Sequence, residues 1–100
     1  MSYESGNLDA ALSAVAGDDP TLRNDLRRAF LESADRQIAL AERAMDEGSW
    51  RQALWRLKGL SGSFGLLSLI ALAEEVESAA PGDAQAVRRL RAALTLIAEV

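Results

Sequence analysis

The sequence contains no cysteine and no histidine. Without cysteine there is no disulfide framework, no thiolate nucleophile and no cysteine-based metal site. Without histidine the commonest ligand of zinc, copper and nickel is missing, and so is the side chain that titrates near neutral pH. No metal and no cofactor is expected. Aromatic residues are only 5% of the chain, and the 100 residues include 2 prolines. No apolar run reaches the roughly 18 residues of a membrane span. The opening stretch MSYESGNLDA has neither the basic nor the apolar region of a secretory signal. The expectation is a cytoplasmic protein with no membrane partner.

What is present favours helices. Apolar residues make up 49% of the chain, mostly Ala and Leu, and the charged residues are mainly Glu, Asp and Arg. Ala, Leu, Glu and Arg are all good helix formers, so the class is all-α. A chain of this length forms one domain, 1–100, large enough to fold alone. The net charge of −4 argues against a nucleic-acid partner, which draws on a basic face. The basic clusters Arg23, Arg27, Arg28 and Arg88, Arg89, Arg91 read as solvated helix faces, paired with carboxylates one turn away.

Residues 1–6 are polar and are expected to be flexible. Asn7 is placed to cap a short helix with the stripe Leu8, Ala11, Leu12 and Val15, ending at Gly17. So short a helix needs the end of a larger bundle to pack on. Asp18-Asp19-Pro20 is a start signal: a carboxylate cap, then proline where its missing N–H costs nothing. The helix that follows, expected over 20–46, turns Leu22, Leu26, Ala29, Phe30, Ser33, Gln37, Leu40, Ala41 and Ala44 inward until Gly48 breaks it. Ser49 is the expected cap of a helix over 49–64. A further helix over 66–80 buries Leu66, Leu69, Leu72, Ala73, Val76 and Ala80 and turns Glu74, Glu75 and Glu77 outward. In it Leu67 and Ile70 either widen the buried face or form an exposed patch. After Pro81-Gly82, Asp83 caps a last helix over 83–99 with Ala86, Val87, Leu90, Ala93, Leu94 and Ile97 inward. Short Gly/Pro-bearing connections favour an up-down-up-down antiparallel four-helix bundle with a short extra N-terminal helix.

The chain is organised around WRQALWRLKGLSGSFG, residues 50–65. At about 100° per residue, Trp50, Ala53, Leu54, Leu57, Leu60, Ser61 and Phe64 fall within an arc of roughly 120°, the buried face. Trp55 lies about 160° from the centre of that arc, so a large aromatic faces solvent, with Arg51, Gln52, Lys58, Gly59 and Gly62 around it. Gly59, Gly62 and Gly65 recur every third residue, although a glycine inside a helix costs about 1 kcal/mol relative to alanine. Missing side chains beside Trp55 and Lys58 leave the backbone open to close approach, while Gly65 is placed to end the helix.

Trp55-Arg56-Leu57-Lys58-Gly59, followed by Ser61 and Gly65, resembles the HxLKG…G signature of the histidine-containing phosphotransfer (HPt) domain. AFLESA resembles that family's second-helix FLEEA pattern, MDEGSWRQAL resembles AGDWEAL, and GLLSLIALAEEVESAA resembles the GxxxLxxxAxxLExAA helix after the histidine. The resemblance implies a four-helix bundle whose exposed histidine carries phosphate between histidine kinases and receiver aspartates, with Lys58 at the position that assists the phosphohistidine. Trp55 occupies the histidine's position, and an indole cannot replace it, because its nitrogen is only a donor. Ser61 and Ser63 have no adjacent base, the three glutamates lie on a solvated face, and the glycines lack the context of a phosphate loop. No catalytic residue is assigned. The expectation is a histidine-less binding module that docks a response-regulator receiver domain or a histidine kinase through Arg51, Gln52, Trp55, Arg56, Lys58, Gly59 and Gly62. The alternatives are a phosphotransferase with an unconventional acceptor and a self-associating bundle with Trp55, Leu67 and Ile70 in a homodimer seam; otherwise the protein is expected to be a monomer. Trp50 should be buried and Trp55 exposed.

Overall fold

The computed structural model describes the backbone of residues 3–98 and the side chains of residues 8–98. Among these residues there are five helices and no strand: α1 (Tyr3–Ala16), α2 (Pro20–Glu42), α3 (Glu47–Ser63), α4 (Leu67–Val76) and α5 (Ala84–Ala98). Helices α2 and α3, α3 and α4, α4 and α5, and α5 and α2 pack in a closed ring, and α1 lies against α2 and α5. None of the described helices is long and apolar enough to cross a membrane.

The helix starts follow from side-chain acceptors. The Asp19 carboxylate accepts from the N–H groups of Thr21 and Leu22 at 3.0 and 3.1 Å, with Pro20 in the first turn. Asp83 accepts from the Ala86 N–H at 2.9 Å as α5 begins. The cap of α3 differs from the expectation. It is Asp46, not Ser49, and its carboxylate accepts both the Ser49 N–H at 2.7 Å and the Ser49 hydroxyl at 3.1 Å. A carboxylate at a helix N-terminus gains from the macrodipole as well as from the hydrogen bond, so Asp46 wins over a serine hydroxyl. Consequently Gly48 lies inside the first turn of α3, and α2 stops at Glu42 rather than 46.

Other boundaries also move. Helix α1 starts at Tyr3, so the backbone of Asn7 lies inside it rather than at its start. Once Leu8 and Leu12 are buried, adding a preceding residue fixes little and gains a hydrogen bond. Of the stretch 1–6 expected to be flexible, residues 3–6 are helical and residues 1 and 2 lie outside the described residues, as does residue 99. Helix α4 ends at Val76 instead of 80, leaving Ala80 exposed. Gly82 then turns at φ +72° so close to the end of α2 that a Cβ there would lie 3.0 Å from the carbonyl oxygens of both Glu42 and Ala44.

The core contains Trp50, Ala53, Leu54, Leu57, Leu66, Leu69, Ala73, Val76, Ala86, Val87, Leu90, Leu94 and Ile97, closed over by Leu8 and Leu12 of α1. Phe30 and Phe64 meet edge to face at 4.8 Å. The inward stripe of α2 differs from the expected one. Leu22, Ala29 and Leu40 are exposed, Ser33 and Gln37 only half-buried, and Ala34 and Ile38 are fully buried. Val15 of α1 is likewise exposed. The set with one-turn spacing, Phe30, Ala34, Ile38 and Ala41, takes the core because α2 faces α3, α5 and α1 together.

Of the six arginines expected to pair within their own helices, Arg27, Arg89 and Arg91 pair between helices instead, and Arg23, Arg28 and Arg88 are in no ion pair among the described residues. Arg27 spans Asp9 of α1 at 3.1 Å and the Ala98 carbonyl of α5 at 2.6 Å. Arg91 meets Glu42 at 3.0 Å, and Arg89 meets Glu75. Among the described residues only Arg51 and Glu47 form a pair one turn apart, at 3.7 Å. The Trp50 indole N–H donates to the Val76 carbonyl at 3.3 Å, so one buried side chain ties the start of α3 to the end of α4. Trp50→Ala should cost about 3–5 kcal/mol in urea unfolding, on the scale of emptying an aromatic core site. Trp50→Phe should cost less, because it keeps most of the volume and the Val76 carbonyl still accepts the Ala79 N–H at 3.0 Å.

Candidate functional site

Position in α3 sorts its side chains into three sets. Trp50, Ala53, Leu54, Leu57 and Ser61 are buried, with Leu60 and Phe64 packed at the margin, as the sequence pattern predicts. On the opposite side Trp55 is 71% exposed. It stands on a ridge with two unlike flanks.

Toward α4 the ridge is occupied. The Lys58 ammonium lies 3.3 Å from the Glu77 carboxylate and its side chain is only 22% exposed, so the cation beside Trp55 is already paired. This corrects the picture of Glu77 as a freely solvated carboxylate. A methyl group at Gly62 would rest 3.9 Å from Ile70, an ordinary contact. Ile70 is half-buried, whereas Leu67 is exposed. Toward α2 the ridge is open. Gly59 has nothing within 4 Å of the place a Cβ would take. Beyond it, Gln52, Arg56, Gly59 and Ser63 form one wall of a cleft whose other wall is α2.

The glycine series therefore divides by role. Gly65 ends α3 in the left-handed region at φ +67°, with its own N–H on the Gly62 carbonyl and the Leu66 N–H on the Ser61 carbonyl, the Schellman pattern. Gly59 has no such duty, and the fold makes no visible demand for it. The serines are committed to backbone: Ser61, fully buried, donates to the Leu57 carbonyl at 2.7 Å, and Ser63 donates to the Gly59 carbonyl at 3.2 Å. Neither has a base beside it. Among the described residues no group of three or more carboxylates comes together as a metal site would need.

The α2 wall was missed in the sequence. It brings Arg36, Gln37 and Arg43 opposite Arg56, and Met45 to the upper lip. The available signal was the spacing of Arg36, Leu40 and Arg43, which repeats on one face of α2 at a helical period. The Gln37 side-chain oxygen is buried there without a partner.

A profile of the Hpt domain matches residues 25–100. The chain belongs to the Hpt domain family. Hpt domains act in phosphorelay signalling, where they meet histidine kinases and response-regulator receivers and carry phosphate between them. Searches of curated proteins and of solved structures returned no match. The matched span takes in all of the α3 ridge and both walls of the cleft and leaves out α1.

At the end of the bundle beside the cleft, two carboxyls are held below their usual range. Asp46 is lowered by the Ser49 N–H and then by the Ser49 hydroxyl, and Glu42 by the hydrogen bond and then the charge of Arg91. A carboxyl whose folded value lies below its unfolded value contributes stability above the ordinary carboxylate range and loses it as pH falls through the folded value. Asp46→Asn keeps a cap acceptor but removes that titration. The stability difference between wild type and Asp46→Asn, measured as urea midpoints, should therefore be largest near neutral pH and shrink on acidification.

Proposed function

We propose that this Hpt domain docks a response-regulator receiver domain or a histidine kinase through the outer face of α3 and does not itself accept phosphate. The observation that carries this reading is the exposed Trp55 indole, standing where the family signature places histidine, in a chain with no histidine at any position. An indole offers no lone pair for phosphoryl attack but is a strong interface anchor, and tryptophan is enriched among hot spots. The open backbone at Gly59 supports close approach on the same surface. The up-down-up-down arrangement belongs to this reading too: the pairs Lys58–Glu77 and Gly62–Ile70 step in opposite directions along α3 and α4, and Arg27–Ala98 and Glu42–Arg91 do so along α2 and α5. So does the cytoplasmic compartment expected from the sequence.

The test is binding to purified receiver domains and kinases, with wild type and variants in parallel. Trp55→Ala should leave unfolding stability within about 0.5 kcal/mol, as for an exposed helix position, and weaken binding by about 2 kcal/mol or more. Gly59→Leu should weaken binding by obstruction while stabilising the helix by up to about 1 kcal/mol. Changes below tenfold, about 1.4 kcal/mol, in both variants would remove this face as the docking surface. A dimer in light scattering that Trp55→Ala dissolves would point to self-association instead.

Restoring the acceptor probes the same face. Incubated with an autophosphorylated kinase or a phosphorylated receiver, the wild type should take up no label. Trp55→His places an imidazole near Lys58, but Glu77 neutralises that ammonium and would repel a phosphoryl group. Trp55→His with Glu77→Gln should therefore take up more acid-labile label than Trp55→His alone. Acid-labile label on the wild type would overturn the reading.

A further inference from the structure

We propose that the cleft between α2 and α3 seats an acidic amphipathic helix presented by the partner protein. The proposal names the chemistry of that partner and rests on the docking reading above only for the partner's class.

Two hollows of about 410 and 460 Å³ lie end to end between the helices and share Gln37 and Arg56, so they form one trough. It follows α3 from Ser49 to Ser63, a rise of about 21 Å, or roughly four turns of a docked helix. Its charged lining consists of Arg36, Arg43, Arg56 and Asp46. The Asp46 carboxylate is already engaged as the cap of α3. None of the three arginines belongs to an ion pair among the described residues, whereas Arg27, Arg51, Lys58, Arg89 and Arg91 all do. Arg23, Arg28 and Arg88 also stand outside any ion pair among the described residues, so three of the six arginines without one line this single trough on a protein of net charge −4. The floor between them is apolar, from Leu40, Ala44, Ala53 and Leu60, and Met45 at the lip is 93% exposed.

An apolar floor flanked by guanidinium groups is complementary to a helix with an apolar stripe bordered by carboxylates. The trough is walled by helices whose backbone groups are internally bonded, so no strand edge is on offer. Ridges of a third helix can enter it, and Gly59 lets that helix close in midway. A nucleic acid would meet the net negative charge of the rest of the molecule. On the other flank of Trp55 the cation is neutralised by Glu77, which leaves the α2 side as the one that attracts carboxylates.

The probe is a fluorescein-labelled helical peptide of about 18 residues, enough to span the trough, with leucines at i, i+3, i+4 and i+7 and glutamates on the flanks. A control peptide has lysine for each glutamate. By anisotropy against the full chain, the acidic peptide should bind at least tenfold more tightly than the control and weaken with added salt. Amide shifts in the ¹⁵N-labelled protein should fall on α2 and α3. Arg36→Glu with Arg56→Glu should reduce acidic-peptide affinity at least tenfold; Arg36→Gln with Arg56→Gln, which avoids charge reversal, should reduce it less but in the same direction. Absence of acidic-peptide binding, equal binding of the lysine peptide, shifts confined to α4 and α5, or unaltered affinity in both arginine variants would each overturn the proposal. The docking reading fails separately: if the peptide seats in the trough while no receiver or kinase binds, the trough stands and the partner class falls. If a receiver or kinase binds with sensitivity to Trp55→Ala but not to the arginine variants, the partner class stands and the trough falls.

Discussion

Burial of the Trp50 indole sets the rotation of α3, and the surface of the protein follows from that rotation. The ring is fully inside, its N–H satisfied by the carbonyl of the last residue of α4. A helix has no freedom to turn about its axis once its largest side chain is fixed in this way. Five residues further on, about 500° of rotation later, Trp55 must point outward. The same phase sends Lys58 toward α4 and Arg56 toward α2. One buried hydrogen-bonded aromatic therefore decides which cation is paired and which is left over.

Charge is distributed by the same geometry. The interhelical pairs Asp9–Arg27, Glu42–Arg91, Glu75–Arg89 and Glu77–Lys58 hold neighbouring helices in register. Exposed pairs of this kind add little stability individually. Their larger effect is on the surface potential: each neutralises a cation, and the arginines left unpaired among the described residues include the strip Arg36, Arg43 and Arg56 along the α2–α3 trough. The composition alone, with acids outnumbering bases, gives no hint of such a strip.

How much was legible in the sequence differed from helix to helix. In α3 and α5 the apolar residues, Trp55 and Leu96 apart, form one stripe, so the inward residues could be read directly, as could the outward Trp55 and the capping roles of Asp19, Asp83 and Gly65. Helix α2 touches three other helices, and its apolar residues spread over more than one face. Periodicity then cannot choose between Ala34-Ile38 and Ala29-Leu40, and the tertiary contacts make the choice. The start of α3 was misread because Asp46 and Ser49 are both good caps three residues apart, and only the folded geometry shows the carboxylate accepting from the serine. Partners of Arg27 and Lys58 lie in other helices and leave no trace in local spacing. The outward wall of the cleft on α3 was visible for the same reason its core was; the wall on α2 needed the two helices side by side.

Gly59 has a meaning for sequence drift. Alanine is one nucleotide away from any glycine codon, and at this position it would meet no atom, strain no dihedral and make a better helix. Gly17, Gly65 and Gly82 sit at positive φ, where replacement is resisted by the backbone itself. At Gly59 nothing inside the protein resists. A lineage in which this face had fallen out of use would lose that glycine early and be more stable for it, so position 59 is where continued use and decay of the surface leave opposite marks.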